Sequence, residues 1–167
     1  MKKMFNSRSQ YSKGFTLIEL LVVIAIIAAL SVIVFVALNP AKRLQDSRDA
    51  RRTTDIETIL TAIHTSIIDN KGVLPASMAS DSAGVDYQLG TATGGSCTAL
   101  TQNNCSIPAT NCDNLGADLT KYLKTLPVDP KTGTAALSGY AVSVDANNIV
   151  TVKACGGENN TAIQTSR

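Results

Sequence analysis

A continuous apolar run extends from Phe15 to Leu38. At ~1.5 Å per residue, a helix over this run is about 36 Å long, which exceeds the roughly 30 Å hydrocarbon core of a bilayer. The pattern therefore predicts a membrane-spanning helix over residues 15–38. Glu19 is the only ionisable residue in the run, and a carboxylate inside a bilayer costs about 2.5–3.5 kcal/mol. Because the run contains no cation, we expect the partner of Glu19 to lie outside it.

The pattern changes after the run. Asn39-Pro40 predicts either a helix cap followed by a first-turn proline or a kink at Pro40 in one long helix. We expect an amphipathic continuation over residues 39–72, helical from 41 to 70 and ended by the Asp69-Asn70-Lys71-Gly72 segment. Its apolar residues recur with helical spacing and predict one buried face: Ile56, Ile59, Leu60, Ile63 and Ile67.

The first part of this continuation, residues 41–55, is polar and rich in arginine. Three aspartates, Asp46, Asp49 and Asp55, are interleaved with the arginines. This spacing is typical of a solvated helix face with ion pairs between turns. The competing interpretation is that these charges contact neighbouring subunits of an assembly or lipid headgroups, and the sequence leaves both open.

Residues 73–167 predict an extracytoplasmic globular head. Within it, residues 76–118 are rich in small and polar residues, which favours a loop-rich insertion held by disulfides rather than by a core. A short helix is predicted over 118–126. Alternating apolar residues in 139–145 and 149–153, with a turn between them, predict a hairpin that packs on the apolar helix face.

The four cysteines all lie after the apolar run: Cys97, Cys105, Cys112 and Cys155. Their even number favours an oxidising compartment. Four cysteines allow three pairings, and the sequence does not choose among them; we favour Cys112–Cys155 as a long bridge with Cys97–Cys105 closing a short loop. Neither a CxxC pair nor a neighbouring histidine indicates a zinc site.

The charge balance gives no reason to expect specific nucleic-acid binding. The chain has 15 basic and 13 acidic residues, and four of the cations precede the apolar run: Lys2, Lys3, Arg8 and Lys13. Without them the acidic residues are in excess. Several cations also follow the run, so positive charge alone does not fix the orientation in the membrane.

The segment from Lys13 to Leu20, Lys-Gly-Phe-Thr-Leu-Ile-Glu-Leu, resembles the cleavage and methylation signature of type IV prepilins and of type II secretion pseudopilins. In that family a membrane-embedded aspartyl peptidase cuts after the glycine and methylates the new N-terminus. The resemblance implies a leader over residues 1–14, cleavage between Gly14 and Phe15, and N-methylation of Phe15. It also implies that Glu19 pairs with the N-terminal amine of a neighbouring subunit during assembly.

Two other classes of N-terminal segment share part of this pattern. A secretory signal peptide also begins with basic residues, but its apolar region has about 7–15 residues and precedes the cleavage site. A plain single-pass anchor fits the length of the run and explains neither Glu19 nor the Gly-Phe junction. The segment 122–130 with Gly139-Tyr140 also resembles pilin and pseudopilin modules, less specifically.

The resemblance implies an α+β, pilin-like fold. A long N-terminal transmembrane and spine helix would pack on a small antiparallel sheet, beside a loop region held by disulfides. The implied function is that of a structural subunit of a type IV pilus, serving adhesion, motility or DNA uptake. The alternatives are a pseudopilin of a type II secretion system and, from another class, a non-assembling single-pass membrane protein with an extracellular interaction domain.

The same resemblance implies the partners and the location. The partners are other copies of the chain, minor pilins, the prepilin peptidase and the inner-membrane assembly platform, with membrane lipid before assembly. We expect a precursor in the cytoplasmic membrane with its leader inside and its C-terminus outside. The mature chain would lie in a filament at the cell surface or in the periplasm.

The sequence contains no catalytic constellation, so we expect a protein that is not an enzyme. His64 is the only histidine and lies beside Ile63, where a structural role is expected. Major pseudopilins of type II secretion carry calcium in their C-terminal loops, which makes Asp129, Asp145 and Asn147 candidate ligands by resemblance. Turn-forming Asp and Asn residues produce the same pattern without an ion, and we expect no cofactor.

Overall fold

The structure is a computed structural model that describes residues 14–79, 81–93, 96–159 and 162–167. Residues 1–13 of the implied leader lie outside the described part of the chain. The chain divides into two compact units, Met1–Pro40 and Ala41–Arg167. The first contains the apolar run and the second contains the head with its own core.

Helix α1 spans Leu17–Leu38 and forms the first unit. Thr16 caps it: the Thr16 hydroxyl accepts a hydrogen bond from the backbone N–H of Glu19, and the Glu19 carboxylate accepts one from the backbone N–H of Thr16. This reciprocal capping box satisfies two N–H groups that an isolated helix end leaves without partners. None of the α1 residues is buried, and the helix is long and apolar enough to cross a membrane.

Helix α1 ends at Leu38, where Asn39 adopts a left-handed conformation with φ 40°. Helix α2 then spans Pro40–Asp69, with proline at its first position, where the missing N–H costs no helical hydrogen bond. The predicted end of this helix is confirmed. Lys71 and Gly72 have positive φ, and the Gly72 N–H donates to the Ile67 carbonyl at 2.8 Å, which closes the last turn.

The head contains a five-stranded sheet in the order β4-β1-β5-β6-β7 and a separate two-stranded ribbon of β2 and β3. The strands are β1 Tyr87–Leu89, β2 Leu100–Gln102, β3 Cys105–Ile107, β4 Cys112–Asp113, β5 Tyr140–Val144, β6 Val150–Ala154 and β7 Gln164–Ser166. The predicted hairpin is confirmed as β5 and β6, with Val142 opposite Val152. Strands β1 and β4 run parallel, so the sheet is mixed rather than purely antiparallel.

The core forms where the apolar face of α2 packs on the sheet, as the sequence predicts. Ile56, Ile59, Leu60 and Ile63 are buried against β5, β6 and neighbouring loops, and Ile67 is half-buried at the edge. The alternating apolar residues of β6 point into this core, and all of β5 is buried. The arrangement is the expected α+β fold.

The helix predicted over 118–126 is wrong. A 3₁₀ turn spans Ala76–Met78, and the short helix α3 spans Leu115–Asp118, ending where the prediction began. Turns follow, and Leu119, Leu123 and Leu126 still pack on the core. The apolar spacing therefore identified the three leucines that face the core. It did not identify the secondary structure, because over so short a segment successive turns can place side chains on one side as a helix does.

The favoured disulfide pairing is also wrong. The structure joins Cys97 to Cys112 and Cys105 to Cys155, with Cα–Cα distances of 6.2 and 5.5 Å. Cys105 begins β3 and packs with Cys155, which directly follows β6, so tertiary packing overrides closeness in sequence. The bridges close loops of 15 and 50 residues, for which chain entropy gives about 3 and about 4 kcal/mol of stabilisation.

Candidate assembly site

The implied cleavage junction lies in an open, non-helical segment ahead of α1. Phe15 is 91% exposed, and a Cβ added at Gly14 would meet no atom within 4 Å. Residues 14–16 have no regular secondary structure. The backbone of this junction is therefore free of packing contacts with the described part of the chain.

Glu19 is tied to the start of its own helix. Its Oε2 accepts hydrogen bonds from the Thr16 backbone N–H and from the Thr16 hydroxyl, both at 2.8 Å. Within the residues that the structure describes, no cation pairs with this carboxylate. It faces the N-terminal end of α1, where the helix dipole favours negative charge. A carboxylate has capacity for further donors, so a cation arriving at this helix end would find an acceptor already in place.

Helix α1 presents an apolar surface that has no cover within its unit. Its large apolar side chains are about half exposed or more, from 48% at Val22 to 81% at Leu17. The hydroxyl of Ser31 donates to the Ile27 carbonyl at 2.7 Å, so this polar group is satisfied inside the helix. A contiguous apolar surface of this size requires lipid or protein around it.

The comparison with family models bears on this N-terminal segment. The prokaryotic N-terminal methylation motif matches residues 9–35. The chain carries the prepilin signature. The motif supports a type IV pilin or pseudopilin with a membrane-anchored precursor. No significant match to a curated protein or to a solved structure was found.

The match ends inside α1 and does not reach the head of this prepilin-like chain. Residues 9–13 of the motif lie outside the described residues, whereas Gly14, Phe15 and Glu19 lie inside.

Arg52 is the centre of a buried ion network in the head. Its side chain is fully buried, and Nε and Nη2 hold the two Asp129 oxygens at 2.5 and 3.1 Å, while Nη1 holds Asp49 at 2.7 Å. Asp129 also accepts the backbone N–H groups of Lys131 and Thr132, both at 2.9 Å. Burial opposes ionisation of Asp129, but Arg52 and these amides outweigh it and lower the pKa of Asp129 below its usual range.

Glu158 extends the network to the C-terminal loop. It accepts from Arg48 at 2.6 Å and from the ammonium of Lys131, and its backbone N–H donates to Asp49. The hydrogen bond from Arg48, followed by that from Lys131, lowers the pKa of Glu158 to about 2. Arg48, Asp49 and Arg52 of the charged segment 41–55 thus join α2 to loops of its own head. Arg51 is exposed and lies 3.7 Å from Asp55, but Asp55 is largely buried and accepts a hydrogen bond from the Tyr140 hydroxyl of β5 at 2.7 Å.

The calcium candidates have other roles in the structure. Asp129 is held by Arg52, whereas Asp145 accepts the backbone N–H groups of Asn147 and Ile149 at 2.8 Å within the β5–β6 turn. The bond from Ile149 is the main cause that lowers the pKa of Asp145. Among the described residues, no group of three or more His, Cys, Asp or Glu side chains could hold a metal ion.

A threonine stripe, which the sequence interpretation missed, lies on the exposed face of α2. Its four hydroxyls each donate to the carbonyl four residues earlier, at 2.7 to 3.3 Å: Thr54, Thr58, Thr61 and Thr65. Spacing of i, i+4, i+7 and i+11 places these residues on one side of the helix, and that spacing was the available signal. Because the hydroxyls are bonded internally, the polar groups of the stripe are already satisfied. One exposed carboxylate, Glu57, borders the stripe.

Proposed function

We propose that the chain is the structural subunit of a type IV pilus. Prepilin peptidase removes residues 1–14, Phe15 is N-methylated, and the mature chain enters a helical filament. The observation that carries the proposal is the methylation motif over residues 9–35, together with a single carboxylate, Glu19, at the start of an uncovered apolar helix.

Cleavage would create the cation that Glu19 requires. A new α-amine at Phe15 of an incoming subunit is an ammonium group, and Glu19 of its neighbour is the only carboxylate in an otherwise apolar helix. Pairing removes the cost of a lone charge in apolar surroundings. A buried ion pair contributes little net affinity relative to apolar residues, so we expect this pair to fix the register between subunits.

Apolar burial would supply the affinity of the filament. In the membrane, lipid covers α1; in the filament, neighbouring helices replace it at ~25 cal/mol per Å² of buried apolar surface. The threonine stripe of α2 adds hydroxyl groups that are bonded inside the helix, so another subunit can cover them without leaving them unpaired. The head would form the outer surface, with minor pilins and the inner-membrane assembly platform as partners.

A pseudopilin of type II secretion is the second candidate. The segment 122–130 resembles pseudopilins as much as pilins. The two disulfides and the polar insertion over 76–118 favour a displayed pilus subunit, because they hold an irregular surface that faces an oxidising exterior. In a non-assembling anchor, Glu19 would serve only as the capping residue of α1.

Glu19→Ala tests the proposal, with Ser31→Ala as a control in the same helix. We expect Glu19→Ala to be cleaved and methylated but absent from filaments sheared from cells, because the cation of the incoming subunit loses its partner. The control should assemble, since it removes only an internally bonded hydroxyl. Filaments of Glu19→Ala at the level of the unmodified protein would contradict the assembly role.

A further inference from the structure

Two carboxyl groups meet at the edge of the sheet without a cation between them. Asp113 in β4 is 7% exposed and Asp81 is half-buried, and their side chains contact each other. In each residue Oδ2 is shielded from solvent and has no hydrogen-bond donor among the described residues. We call these two side chains the carboxyl pair.

The surroundings of the carboxyl pair do not neutralise it. Beyond the effect of burial, the negative charge of Asp118 in α3 raises the pKa of Asp113 further. Asp118 Oδ2 accepts a hydrogen bond from the Ser77 backbone N–H at 2.8 Å. The ammonium of Lys153 in β6 donates to both oxygens of Asp86, the residue before β1, at 2.7 and 3.0 Å. The Tyr87 hydroxyl, from β1, accepts the Ser82 backbone N–H at 3.0 Å. Lys153 and Tyr87 therefore already have partners of their own, whereas the buried Ser77 Oγ and Gln88 Oε1 have no hydrogen-bond partner among the described residues and do not bond to either carboxyl group.

One proton resolves both orphaned oxygens. Two ionised carboxylates are both acceptors and repel each other, whereas a carboxylic acid donates to a carboxylate. We propose that Asp81 and Asp113 share one proton. This shared proton holds β4 at the edge of the sheet and is released as the pH rises. The proposal concerns the head alone and does not depend on the pilin function.

Strand β4 is the element whose position depends on the shared proton. It has two residues, pairs with β1 through Gln88 opposite Cys112 and Leu89 opposite Asp113, and forms one edge of the sheet. Cys112 is bonded to Cys97, so the disulfide loop is attached to the same strand. Loss of the proton places two negative charges in contact, and outward movement of β4 with this loop relieves the repulsion.

The direction of the pH effect follows from the pKa values. Burial, followed by the charge of Asp113, raises the pKa of Asp81 to about 7, and burial raises the pKa of Asp113. Between the unfolded value of about 4 and about 7, the folded head holds a proton that the unfolded chain has released. Stability therefore falls as the pH rises through this window and is level above it.

The test is the thermal unfolding of the head in the full-length protein, in detergent with a chelator, between pH 5 and 8.5. We expect Tm to fall on the order of 5 °C across this range. Asp113→Asn, whose amide donates to Asp81 without a titrating proton, should remove the fall and unfold at a higher temperature than the unmodified protein at pH 8. Glu57→Gln, at an exposed position of α2, is the matched control and should keep the fall.

Asp81→Asn provides the same readout if Asp113→Asn does not fold. A fall in Tm of equal size in both Asp→Asn variants and in the control would overturn the proposal. A rise in the Tm of the unmodified protein on adding calcium chloride at pH 8, absent from Asp113→Asn, would overturn it in favour of a cation held between the two carboxylates.

Discussion

Arg52 joins three parts of the head that are distant in sequence. It binds Asp49 on its own helix and Asp129 in the loop before β5, and it approaches Glu158 at 3.6 Å. Two glycines make room for this contact. A Cβ at Gly139 would lie 2.7 Å from the Asp129 Cβ, and one at Gly156 would lie 2.6 Å from Asp129 Oδ2. The ion network therefore requires a residue without a Cβ at both positions.

Arg52→Ala should destabilise the head by about 3–5 kcal/mol, because it leaves the buried Asp129 carboxylate without its cation. Arg51→Ala is the matched control. Its side chain is exposed and its pair with Asp55 is long, so the expected loss is about 0–1 kcal/mol. Urea unfolding of the full-length proteins in detergent measures both, and equal losses for the two variants would refute the buried network.

Single important residues can be predicted from the sequence where a charged side chain interrupts an apolar pattern. Glu19 is evident because one carboxylate interrupts an apolar run. Arg52 could have been found, since it lies four residues before Ile56 on the buried face of α2. Its partner Asp129 could not, because the pairing depends on how the loop after residue 126 returns to the helix. The carboxyl pair depends on tertiary packing in the same way.

The threonine stripe is the element that we expect to contact another subunit. Thr61→Glu introduces a charge in the middle of the stripe, one helical turn from Glu57, and a neighbouring subunit would then have to bury it. We expect normal processing and folding but a strong loss of filaments, measured by shearing. Thr110→Glu makes the same change in an exposed loop of the head and should assemble; equal assembly of both variants would remove the stripe from the interface.

Elements with a long periodic pattern were predicted well. The apolar spacing of α2 and the alternation of β5 and β6 each extend over enough residues to select one structure. The parallel pairing of β1 and β4 was not predictable, since β4 has two residues and carries no period. The disulfide pairing failed for a related reason: it depends on where the β2–β3 ribbon packs, which no local pattern encodes.

The whole molecule combines an N-terminal unit whose described residues, from 14 onward, form no core with a head that has one. In the first unit, none of the α1 residues is buried, so this apolar surface requires lipid or protein around it. The second unit has an apolar core, two disulfides and a buried ion network. This division suits a subunit that leaves the membrane and enters a polymer without refolding its head.

The intact mass of the membrane-extracted protein shows whether the chain is processed as a prepilin. In cells with an active prepilin peptidase, we expect the loss of residues 1–14 and the gain of one methyl group on Phe15. The matched control is Gly14→Leu, whose larger side chain at the junction should leave the chain uncut. A wild-type protein that still begins at Met1 and carries no methyl group would contradict processing as a prepilin.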